Sequence, residues 1–443
     1  MKYFASIDQG TTSTRFIVFN DIGEIVTMHQ EEFPQYFPDE NSVEHNPIEI
    51  WDSVVNCITK VSETFNIADL TSIGITNQRE TTLAWSRSTG EPFHNALVWQ
   101  DTRTQDICDE LKNIDSLADE FNKTGLPIAT YFSLSKIIWL IRNVDSVKNA
   151  INTDDLCFGT IDSWLLYKLT RKHVTDVTNA SRTLLLNLET LQWSDSILDT
   201  LKIPHSSLPS VLPSMTHFGS NKQLLHNVPI TAVLGDQQAS LFGQNCITEG
   251  EVKNTYGTGC FALTNTGEHI IYSKNGLLTT VAYQVEGEKP KYALEGSVSV
   301  AGAAVQWLRD NLNIITESSE IESLALSVKD NGDVYFVPAF SGLFSPHWDE
   351  SARGVLVGIT RYTNKSHIAR AVLESVAYQS YELIESIEKD MDTTINRINV
   401  DGGMVENNLL MQFQADIFDK QVSSQSINEV TALGVAAASF MHE

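Results

Sequence analysis

Alternating apolar and polar segments at the start of the chain predict two strands joined by a polar turn. Residues 2–7 (KYFASI) and 16–20 (FIVFN) are rich in aromatic and β-branched residues, which favour strands. Between them, residues 8–15 (DQGTTSTR) contain an acid, a glycine and four hydroxyl residues. Because glycine and polar residues are typical of tight turns between paired strands, we predict a hairpin with a polar tip.

The same alternation returns at three later places. Apolar segments lead into acidic or glycine-rich turns in residues 230–240 (ITAVLGDQQAS), 251–265 (EVKNTYGTGCFALTN) and 395–413 (INRINVDGGMVENNLLMQF). In the last of these, a helical pattern begins near Asn407, just after the glycine-rich turn. A glycine-rich turn before a helix can point backbone N–H groups at an anion. The repetition predicts two α/β halves that face each other across a cleft, with a boundary near residues 244–250.

Helical spacing of apolar residues predicts two long helices. The first covers residues 46–65, with Pro47 near its start. Its apolar positions lie on one face: Ile48, Trp51, Val54, Val55 and Ile58. The second covers residues 366–391, with Ser366 as the predicted N-cap. Strand-rich and helix-rich segments therefore alternate, which favours the α/β class over all-α or all-β folds.

Composition narrows the class of protein further. A chain of 443 residues, 42% of them hydrophobic, favours two domains with sizeable cores. The formal net charge of −26 disfavours nucleic acids and anionic membranes as partners, because like charges repel. We find neither a secretory signal nor an apolar run of about 18 residues, and the five cysteines are scattered without a CxxC pair. We therefore expect a cytoplasmic protein with reduced cysteines and no membrane insertion.

Two turns have the composition of phosphate-binding turns. In residues 8–15, Gly10 lets the backbone approach a phosphate, and the neighbouring hydroxyl residues add N–H and O–H donors. Asp8 can hold magnesium and Arg15 can reach a phosphate oxygen. Residues 254–259 (NTYGTG) form the second turn, and each turn alone is also typical of an ordinary polar loop. The sequence contains neither GxxxxGK[ST] nor GxGxxG after a strand, so the P-loop and Rossmann motifs are excluded.

Charged residues after two apolar strands are candidates for binding hydroxyl groups. Arg79 and Glu80 follow the strand in residues 71–82 and together offer a donor fork and an acceptor pair to vicinal hydroxyls. An exposed ion pair of little energetic value is the alternative interpretation. Asp236, next to Gln237, is placed at a strand end where a general base can face a hydroxyl.

Taken in order, these segments resemble the FGGY family of carbohydrate kinases, and within it the members that act on glycerol. The matching segments are IDQGTTSTR, GITNQRETT, NALVWQDTR, YFSLSK, FGTIDSWL, TNASRT, GDQQASLFGQ, KNTYGTGCF, NGLLTT, YALEGS, AGAAVQWLRD and DGGMVENNLLMQFQ. The block VPAFSGLFSPHWDESARG resembles the second family signature. The resemblance implies an α/β fold of two actin-like ATPase (ribonuclease H-like) domains. Each has a mixed sheet flanked by helices, and a cleft lies between them.

The resemblance also implies an activity and a division of labour. The expected reaction is the phosphorylation of glycerol to sn-glycerol 3-phosphate by ATP, with Mg²⁺ as cofactor. Residues 1–245 are expected to bind the polyol and the phosphates, and residues 246–443 the nucleotide, in a second domain that is short at its C-terminus for the family. A homo-oligomer, dimer or tetramer, is expected. The alternatives are another FGGY polyol or sugar kinase, or a non-catalytic sensor of nucleotide and polyol, although the retained Asp236 argues against a sensor.

Individual roles follow from the same resemblance. The residues expected to bond the hydroxyls of glycerol are Arg79, Glu80, Tyr131, Asp236 and Gln237, and those expected to pack on its carbons are Trp99 and Phe261. Asp236 is expected to be the catalytic base and, with Asp8, to hold magnesium. The residues expected to line the phosphates are Thr11, Thr12, Ser13, Arg15 and Thr258. The residues expected to border the ribose and adenine are Gly302, Gln306, Gly403 and Asn407.

Overall fold

The chain divides into two units in the computed structural model, which describes residues 2–340, 342–349, 351–425, 427 and 429–442. Unit 1 consists of Met1–Gly243, Thr280–Tyr292 and Glu429–Glu443. Unit 2 consists of Gln244–Thr279 and Ala293–Asn428. Each unit contains strands and helices, as the alternating pattern predicted.

The elements up to residue 243 all lie in unit 1. The strands are β1 (Tyr3–Gln9), β2 (Ser13–Asn20), β3 (Ile25–Glu32), β4 (Glu44–His45), β5 (Leu70–Asn77), β6 (Thr82–Ser86), β7 (Ala96–Leu97), β8 (Leu156–Thr160), β9 (Val174–Asp176), β10 (Leu186–Asn187), β11 (Gln192–Trp193), β12 (Ser210–Leu212), β13 (Met215–Ser220) and β14 (Pro229–Gly235). The helices are α1 (Pro47–Ser62), α2 (Gln105–Lys112), α3 (Ala118–Asn122), α4 (Ser133–Asn143), α5 (Asp145–Ile151), α6 (Ile161–Thr170), α7 (Val177–Ala180), α8 (Asp195–Leu201) and α9 (Asp236–Gly243). Short 3₁₀ turns cover Ile67–Asp69, Asp115–Leu117 and His205–Ser207.

The later part of the chain contributes the remaining elements. The strands are β15 (Val252–Tyr256), β16 (Cys260–Asn265), β17 (Leu278–Tyr283), β18 (Lys291–Val298), β19 (Tyr335–Val337), β20 (Val355–Val357), β21 (Arg397–Asp401) and β22 (Gln421–Ser424). The helices are α10 (Gly302–Asp310), α11 (Glu320–Leu326), α12 (Lys365–Met391), α13 (Asn408–Phe418) and α14 (Val430–His442), with a 3₁₀ turn at Gly403–Glu406. Within the described ranges, no helix is both long enough and apolar enough to cross a membrane.

The central sheet of unit 1 is mixed, with strand order β13-β14-β5-β1-β2-β3. Strand β1 pairs with β2 in antiparallel and with β5 in parallel orientation, and β5 also pairs in parallel with β14. In this register Asn77 at the end of β5 is aligned with Gln9 of β1 and with Gly235 of β14. The carboxyl ends of these three strands therefore meet at one edge, which is where open α/β sheets place their ligands.

In unit 2, strands β18, β16, β15, β21 and β22 lie side by side in that order within a six-stranded sheet. Strand β15 pairs antiparallel with β16 and parallel with β21, so this sheet is also mixed. Helices α10 and α12 pack their apolar residues against it, for example Leu308 and Val376. The predicted α/β class, with two mixed sheets flanked by helices, is confirmed.

Local predictions near the sheet of unit 1 are confirmed with adjusted bounds. Strands β1 and β2 form the predicted hairpin, but Asp8 and Arg15 are aligned within the ladder, so the tip is only residues 10–12. The first long helix begins at Pro47, where the side chain of Asn46 accepts a hydrogen bond from the backbone of the second helical residue. The pattern of apolar residues therefore located the elements, and side-chain hydrogen bonds set where they begin.

The predicted cap of the second long helix was wrong. Helix α12 begins at Lys365, and its N-cap is Asn364 instead of Ser366. The Asn364 side chain accepts from the backbone N–H groups of Ser366 and His367, and the ring of His367 accepts from the backbone of Asn364. This reciprocal arrangement is a capping box with histidine in place of the usual acid.

The predicted single boundary at 245/246 differs from the observed division, because residues 280–292 and 429–443 belong to unit 1. Helix α14 is largely apolar and must bury its surface. It packs against the unit 1 sheet in two clusters, one with Val435 and Ala438 and one with Ala432 and Ala436. Their sheet partners are Met215, Ala232, Leu234, Phe4, Ile17 and Phe19. The C-terminal helix thus completes the core of unit 1.

Candidate active site

Asp236 is the first residue of α9 and follows β14 without an intervening loop. Its Oδ1 atom lies 3.2 Å from Nε of Arg79 and accepts a hydrogen bond of 2.7 Å from the backbone N–H of Gln237. The first turn of a helix favours a negative charge, because its backbone N–H groups are directed at it. The strand end therefore presents a carboxylate whose orientation is set by two donors.

Arg79 and Glu80 are buried, each with 2% of the side chain exposed. The Nε atom of Arg182, from a distant part of unit 1, lies 2.6 Å from Oε1 of Glu80. The same oxygen lies 4.0 Å from Nε of Arg79. These contacts exclude the interpretation of Arg79 and Glu80 as an exposed ion pair. They belong to a row of alternating charges whose members are Asp236, Arg79, Glu80 and Arg182, of which Asp236 is partly exposed, at 31%, and the other three are buried. Buried charges are stable only in such paired arrangements.

Trp99 connects two groups of residues that the sequence predicted separately. Its indole N–H donates to Oγ1 of Thr11 at 3.1 Å, and its backbone N–H donates to Oγ1 of Thr81 at 3.3 Å. Its ring meets the ring of Tyr131 edge to face, with centroids 5.8 Å apart. A predicted polyol-packing residue therefore contacts a predicted phosphate-lining residue within unit 1.

Asp8 lies at the start of the polar turn in an environment rich in acids. Nη1 of Arg15 is 3.3 Å from Oδ2 of Asp8 and 3.4 Å from Oε2 of Glu429. Burial raises the pKa of Asp8 to about 6; Arg15 opposes this shift, whereas the charges of Glu429 and Asp236 add to it. Three carboxylates thus lie close enough to influence one another, and no sequence pattern indicated that Glu429 would join them.

The amide side chains of Gln78 and Gln30 bind the two ends of the polar turn, at Gly10 and Ser13. The N–H of Gly10 donates to the carbonyl of Ser13 at 2.9 Å, and Nε2 of Gln78 donates to the Gly10 carbonyl at 3.1 Å. Nε2 of Gln30 donates to Oγ of Ser13 at 3.2 Å, while Thr12 at the tip is exposed. The turn is therefore rigid at its base and accessible at its tip.

In unit 2, the candidate residues also follow the carboxyl ends of neighbouring parallel strands, because Thr255 of β15 is aligned with Asp401 of β21. The N–H of Gly302 donates to the Gly257 carbonyl at 3.0 Å, and the carbonyl of Thr258 accepts from Ala303 at 3.1 Å. These bonds join the turn after β15 to the start of α10. Thr258 is exposed, and so is Gln306, which lies one helical turn into α10. Phe261 on β16 is half-buried.

The turn between β21 and α13 differs in one respect from the prediction. Gly403 is exposed, and Asn407 is the N-cap of α13, accepting a hydrogen bond from the N–H of Leu410. The N–H of Leu409 is bonded at 2.9 Å to Oε1 of Glu322. An acidic side chain therefore occupies one of the donors that the sequence predicted would face an anion at this helix. Gly403 remains accessible at the start of the turn.

A buried polar network behind the unit 1 site was missed by sequence reasoning. The amides of Asn77 and Asn179 exchange two hydrogen bonds of 2.9 and 3.1 Å. Asp176 accepts from the backbone of Asn179, and Oγ1 of Thr178 accepts from the N–H of Gly235, next to Asp236. Asn179 and Arg182 lie in the matched segment TNASRT, which was the available signal, but composition gives no sign that these residues reach the strand ends.

Comparisons with known proteins find relatives along almost the whole chain. The sequence model described as "FGGY family of carbohydrate kinases, N-terminal domain" matches residues 3–243, and that of the C-terminal domain matches residues 252–442. A glycerol kinase of Methylobacterium radiotolerans is 51% identical over 445 residues, which cover 99% of this chain and 89% of the relative. A glycerol kinase of Brucella anthropi is 53% identical over 446 residues, with coverages of 99% and 89%.

Solved structures are similar over the whole chain. The crystal structure of Plasmodium falciparum glycerol kinase with ADP has a TM-score of 0.92 at 39% identity and covers 100% of this chain and 90% of that one. A ligand-bound xylulose kinase of Lactobacillus acidophilus has a TM-score of 0.89 at 24% identity, covering 100% and 89%, a likeness of fold alone. Both family models match this chain, and its structure is similar to that of a solved glycerol kinase. This chain belongs to the FGGY family of carbohydrate kinases.

Proposed function

We propose that this chain transfers the γ-phosphoryl group of ATP to a terminal hydroxyl of glycerol, giving sn-glycerol 3-phosphate and ADP. The observation that carries the proposal is the row of alternating charges beside Tyr131 and Trp99, in which Arg79, Glu80 and Arg182 are buried and Asp236 is partly exposed. Donors and acceptors in alternation suit a triol, whose hydroxyls each donate and accept. Relatives that are 51% and 53% identical are named glycerol kinase, which supports the same substrate here.

Asp236 is the base in this proposal. A terminal hydroxyl of glycerol gives its proton to the Asp236 carboxylate as the new O–P bond forms and the bond between the γ-phosphorus and its bridging oxygen breaks. The leaving ADP takes the electron pair of the broken bond. Arg79 and the Gln237 backbone hold Oδ1 of Asp236, so the carboxylate is oriented before the substrate binds.

The remaining polyol residues orient glycerol and discriminate against water. Arg79 donates to the hydroxyls, whereas Glu80, Tyr131 and Gln237 supply further polar contacts, and Trp99 and Phe261 cover the carbons. A water molecule in place of glycerol leaves several of these buried polar groups without a partner, which costs about 1–3 kcal/mol for each group. Water is therefore a poor acceptor, and ATP is protected from hydrolysis.

The residues at the polar turn fit a magnesium ion. Mg²⁺ is held by one or two carboxylates together with substrate phosphates, and Asp8 and Asp236 supply the carboxylates. Their repulsion contributes to the raised pKa of Asp8, and a divalent cation relieves such repulsion. The described part of the chain has no group of three or more His, Cys, Asp or Glu side chains placed to hold a metal ion. When bound, the ion neutralises charge on the phosphates.

The nucleotide contacts are assigned residue by residue. The donors assigned to its phosphates are Thr11, Thr12, Ser13, Arg15 and Thr258, and the residues assigned to its ribose and adenine are Gly302, Gln306, Gly403 and Asn407. The exposure of Thr12, Thr258, Gln306 and Gly403 supports these assignments, because a ligand can reach them. An added Cβ at Gly403 would meet nothing within 4 Å, so the space beside it is open to a ligand.

Replacing the two neighbouring glycines of this turn separately distinguishes stability from nucleotide binding. Gly402→Ala is expected to destabilise unit 2 by about 1–3 kcal/mol, because φ is 92° and the added Cβ would lie 2.4 Å from the Tyr256 carbonyl oxygen. Gly403→Ala is expected to leave unfolding unchanged and to raise the KM for ATP about fivefold or more. Thermal unfolding and ATP titrations measure both effects. An unchanged KM for ATP in Gly403→Ala would remove this residue from the nucleotide site.

Gly235→Ala is expected to displace the side chain of Arg79. A Cβ at this position would lie 2.6 Å from Cδ and 2.8 Å from Cγ of Arg79, whereas Gly235 itself leaves room for them. The KM for glycerol should rise about fivefold or more, since the Arg79 guanidinium no longer reaches Asp236. The KM for ATP is the internal control and should change less than about twofold. Equal changes in the two constants would contradict the assignment of Arg79 to the polyol.

The proposal as a whole is tested by an assay that couples ADP release to a spectroscopic readout. Glycerol, dihydroxyacetone and xylulose are compared at several concentrations, together with a reaction without acceptor. Glycerol should give the highest kcat/KM, and the reaction without acceptor should be close to the background. Equal ADP release with and without glycerol would refute the proposal, and a higher kcat/KM with xylulose would assign the chain to sugar kinases.

Two further expectations accompany the proposal. All five cysteines are free and buried, and a cytoplasmic location stays a prediction. The homo-oligomer stays a prediction, as does the exclusion of nucleic acid, which rests on the net charge of −26.

A further inference from the structure

Arg182 is a fully buried cation to which the reaction above gives no task. It follows α7, where its backbone N–H donates to the Asn179 carbonyl at 3.0 Å, and none of its side-chain surface is exposed. Burying a guanidinium costs several kcal/mol unless a carboxylate compensates for it. The compensating group is Glu80, whose Oε1 atom lies 2.6 Å from Nε of Arg182. The position of one of these side chains therefore fixes that of the other.

Glu80 is held at its backbone as well. Its φ angle is 60°, in the left-handed region that residues with a Cβ rarely adopt. The Glu80 carbonyl accepts from Oγ1 of Thr82 at 2.7 Å and from Oγ of Ser133 at 3.0 Å. Such a conformation persists only when its surroundings impose it, and it is frequent at ligand sites. The backbone thus aims the side chain of Glu80, and Arg182 fixes the end of that side chain.

Arg182 also contacts the aromatic side of the site. Its guanidinium carbon lies 5.5 Å from the ring centroid of Tyr131 and 5.4 Å from that of Phe132. A cation over an aromatic ring at such distances is attractive. The segment that carries both rings is held at its carbonyls by the ammonium group of Lys136, which is 2.9 Å from the Tyr131 oxygen. One buried cation therefore joins the acidic and aromatic residues assigned to glycerol.

We propose that Arg182 is a positioning residue for glycerol, which holds the Glu80 carboxylate and the Tyr131 ring in the arrangement that binds the hydroxyls. The proposal rests on the proposed function and adds a residue to it. Because Glu80 contacts glycerol before and during transfer, its displacement weakens binding of the ground state and of the transition state alike. The loss should therefore be found mainly in the KM for glycerol, and less in kcat.

The first experiment replaces the planar guanidinium group of Arg182 with the compact ammonium group of lysine. Arg182→Lys keeps the positive charge but loses the directed Nε–H bond to Glu80 and the flat contact with the rings. The KM for glycerol should rise at least about tenfold, as expected for a lost hydrogen bond to a charged group. The KM for ATP should stay within about twofold, and kcat should fall less than the KM rises.

A matched control is available in unit 2. Nε of Arg370 in α12 lies 2.8 Å from Oε1 of Glu374, an ion pair with the same atoms in which neither residue is assigned to glycerol. Arg370→Lys should leave the KM for glycerol within about twofold of the wild-type value. If Arg182 were important only for folding, Arg182→Lys would lower the amount of active enzyme, so kcat would fall and the KM for glycerol would stay constant. That outcome would overturn the proposal.

A double-mutant cycle tests whether Arg182 acts through Glu80. Arg182→Met leaves the buried Glu80 carboxylate without its partner Arg182, so this variant is prone to misfolding. The double variant Arg182→Met with Glu80→Gln removes both charges. If the proposal is correct, the rise in the KM for glycerol of the double variant is well below the product of the rises in the two single variants, because part of the effect of Arg182 passes through Glu80 and part through Tyr131. If the two losses multiply, Arg182 does not act through Glu80 and the proposal is overturned. Wild-type protein that releases no ADP with glycerol would instead refute the proposed function itself.

Discussion

Asp236→Asn is expected to lower kcat about 10²- to 10⁴-fold while the Kd for glycerol stays within about fivefold of the wild-type value. Nε of Arg79 and the backbone N–H of Gln237 both reach the same oxygen of Asp236, Oδ1. The carbonyl oxygen of asparagine can accept both bonds, so the polyol site keeps its shape. The amide cannot take a proton at neutral pH, and the reaction loses its base. Steady-state rates measure kcat, and calorimetric titration with glycerol measures Kd.

Asp195→Asn is a suitable control for this variant. Asp195 is also the first residue of a helix of unit 1, α8, and its side chain is 83% exposed. The same chemical change there should alter kcat by less than about twofold. If Asp236→Asn kept a normal kcat, Asp236 would not be the base. If it lost glycerol binding as severely as turnover, its role would be to hold the polyol.

Gly434→Ala is expected to destabilise unit 1 by roughly 3 kcal/mol, among the largest effects of a single methyl group in this chain. An added Cβ would lie 2.0 Å from the Ala239 carbonyl oxygen and 2.7 Å from the backbone nitrogen of Gly243, both in α9. Backbone atoms cannot move aside as the end of a flexible side chain can. Helix α14 must therefore shift away from α9, whose first residue is Asp236.

Thermal unfolding followed by tryptophan fluorescence measures this effect. A loss of this size lowers the midpoint of unit 1 by roughly 6 °C or more. Thr431→Ala, one turn earlier on the same helix and half-buried, is the control and should change the midpoint little. Gly434→Ala with a midpoint equal to the wild-type value would show that α14 does not pack closely against α9.

The parts of the fold that sequence reasoning predicted are those in which neighbours along the chain decide the structure. The hairpin of β1 and β2 was predicted because the apolar strand residues and the turn residue Gly10 are close neighbours along the chain. The start of α13 near Asn407 was predicted because its capping residue is adjacent to the glycine-rich turn. The cap of α12 was misplaced by two residues because Asn364 and Ser366 are both good caps, and the bonds that Asn364 makes with Ser366 and His367 decide between them.

The parts that could not be predicted depend on contacts between distant residues. Arg182 and Glu80 are 102 positions apart, and no local pattern indicates that they pair. Helix α14 returns to unit 1 because the sheet of that unit offers an apolar surface for it to cover. The sequence of α14 itself does not indicate where that surface lies. The Glu322 carboxylate at the start of α13 is a further example, because its helix is remote in sequence. The family resemblance supplied individual residues, and the structure supplied the contacts that hold them.

The most direct test of the central claim is phosphorus NMR of a reaction that contains wild-type protein, ATP, magnesium and glycerol. A phosphomonoester signal that matches authentic sn-glycerol 3-phosphate should grow in step with ADP, and it should be nearly absent with Asp236→Asn. Formation of inorganic phosphate in place of the ester, at the same rate with and without glycerol, would contradict the claim that Asp236 activates a hydroxyl of bound glycerol.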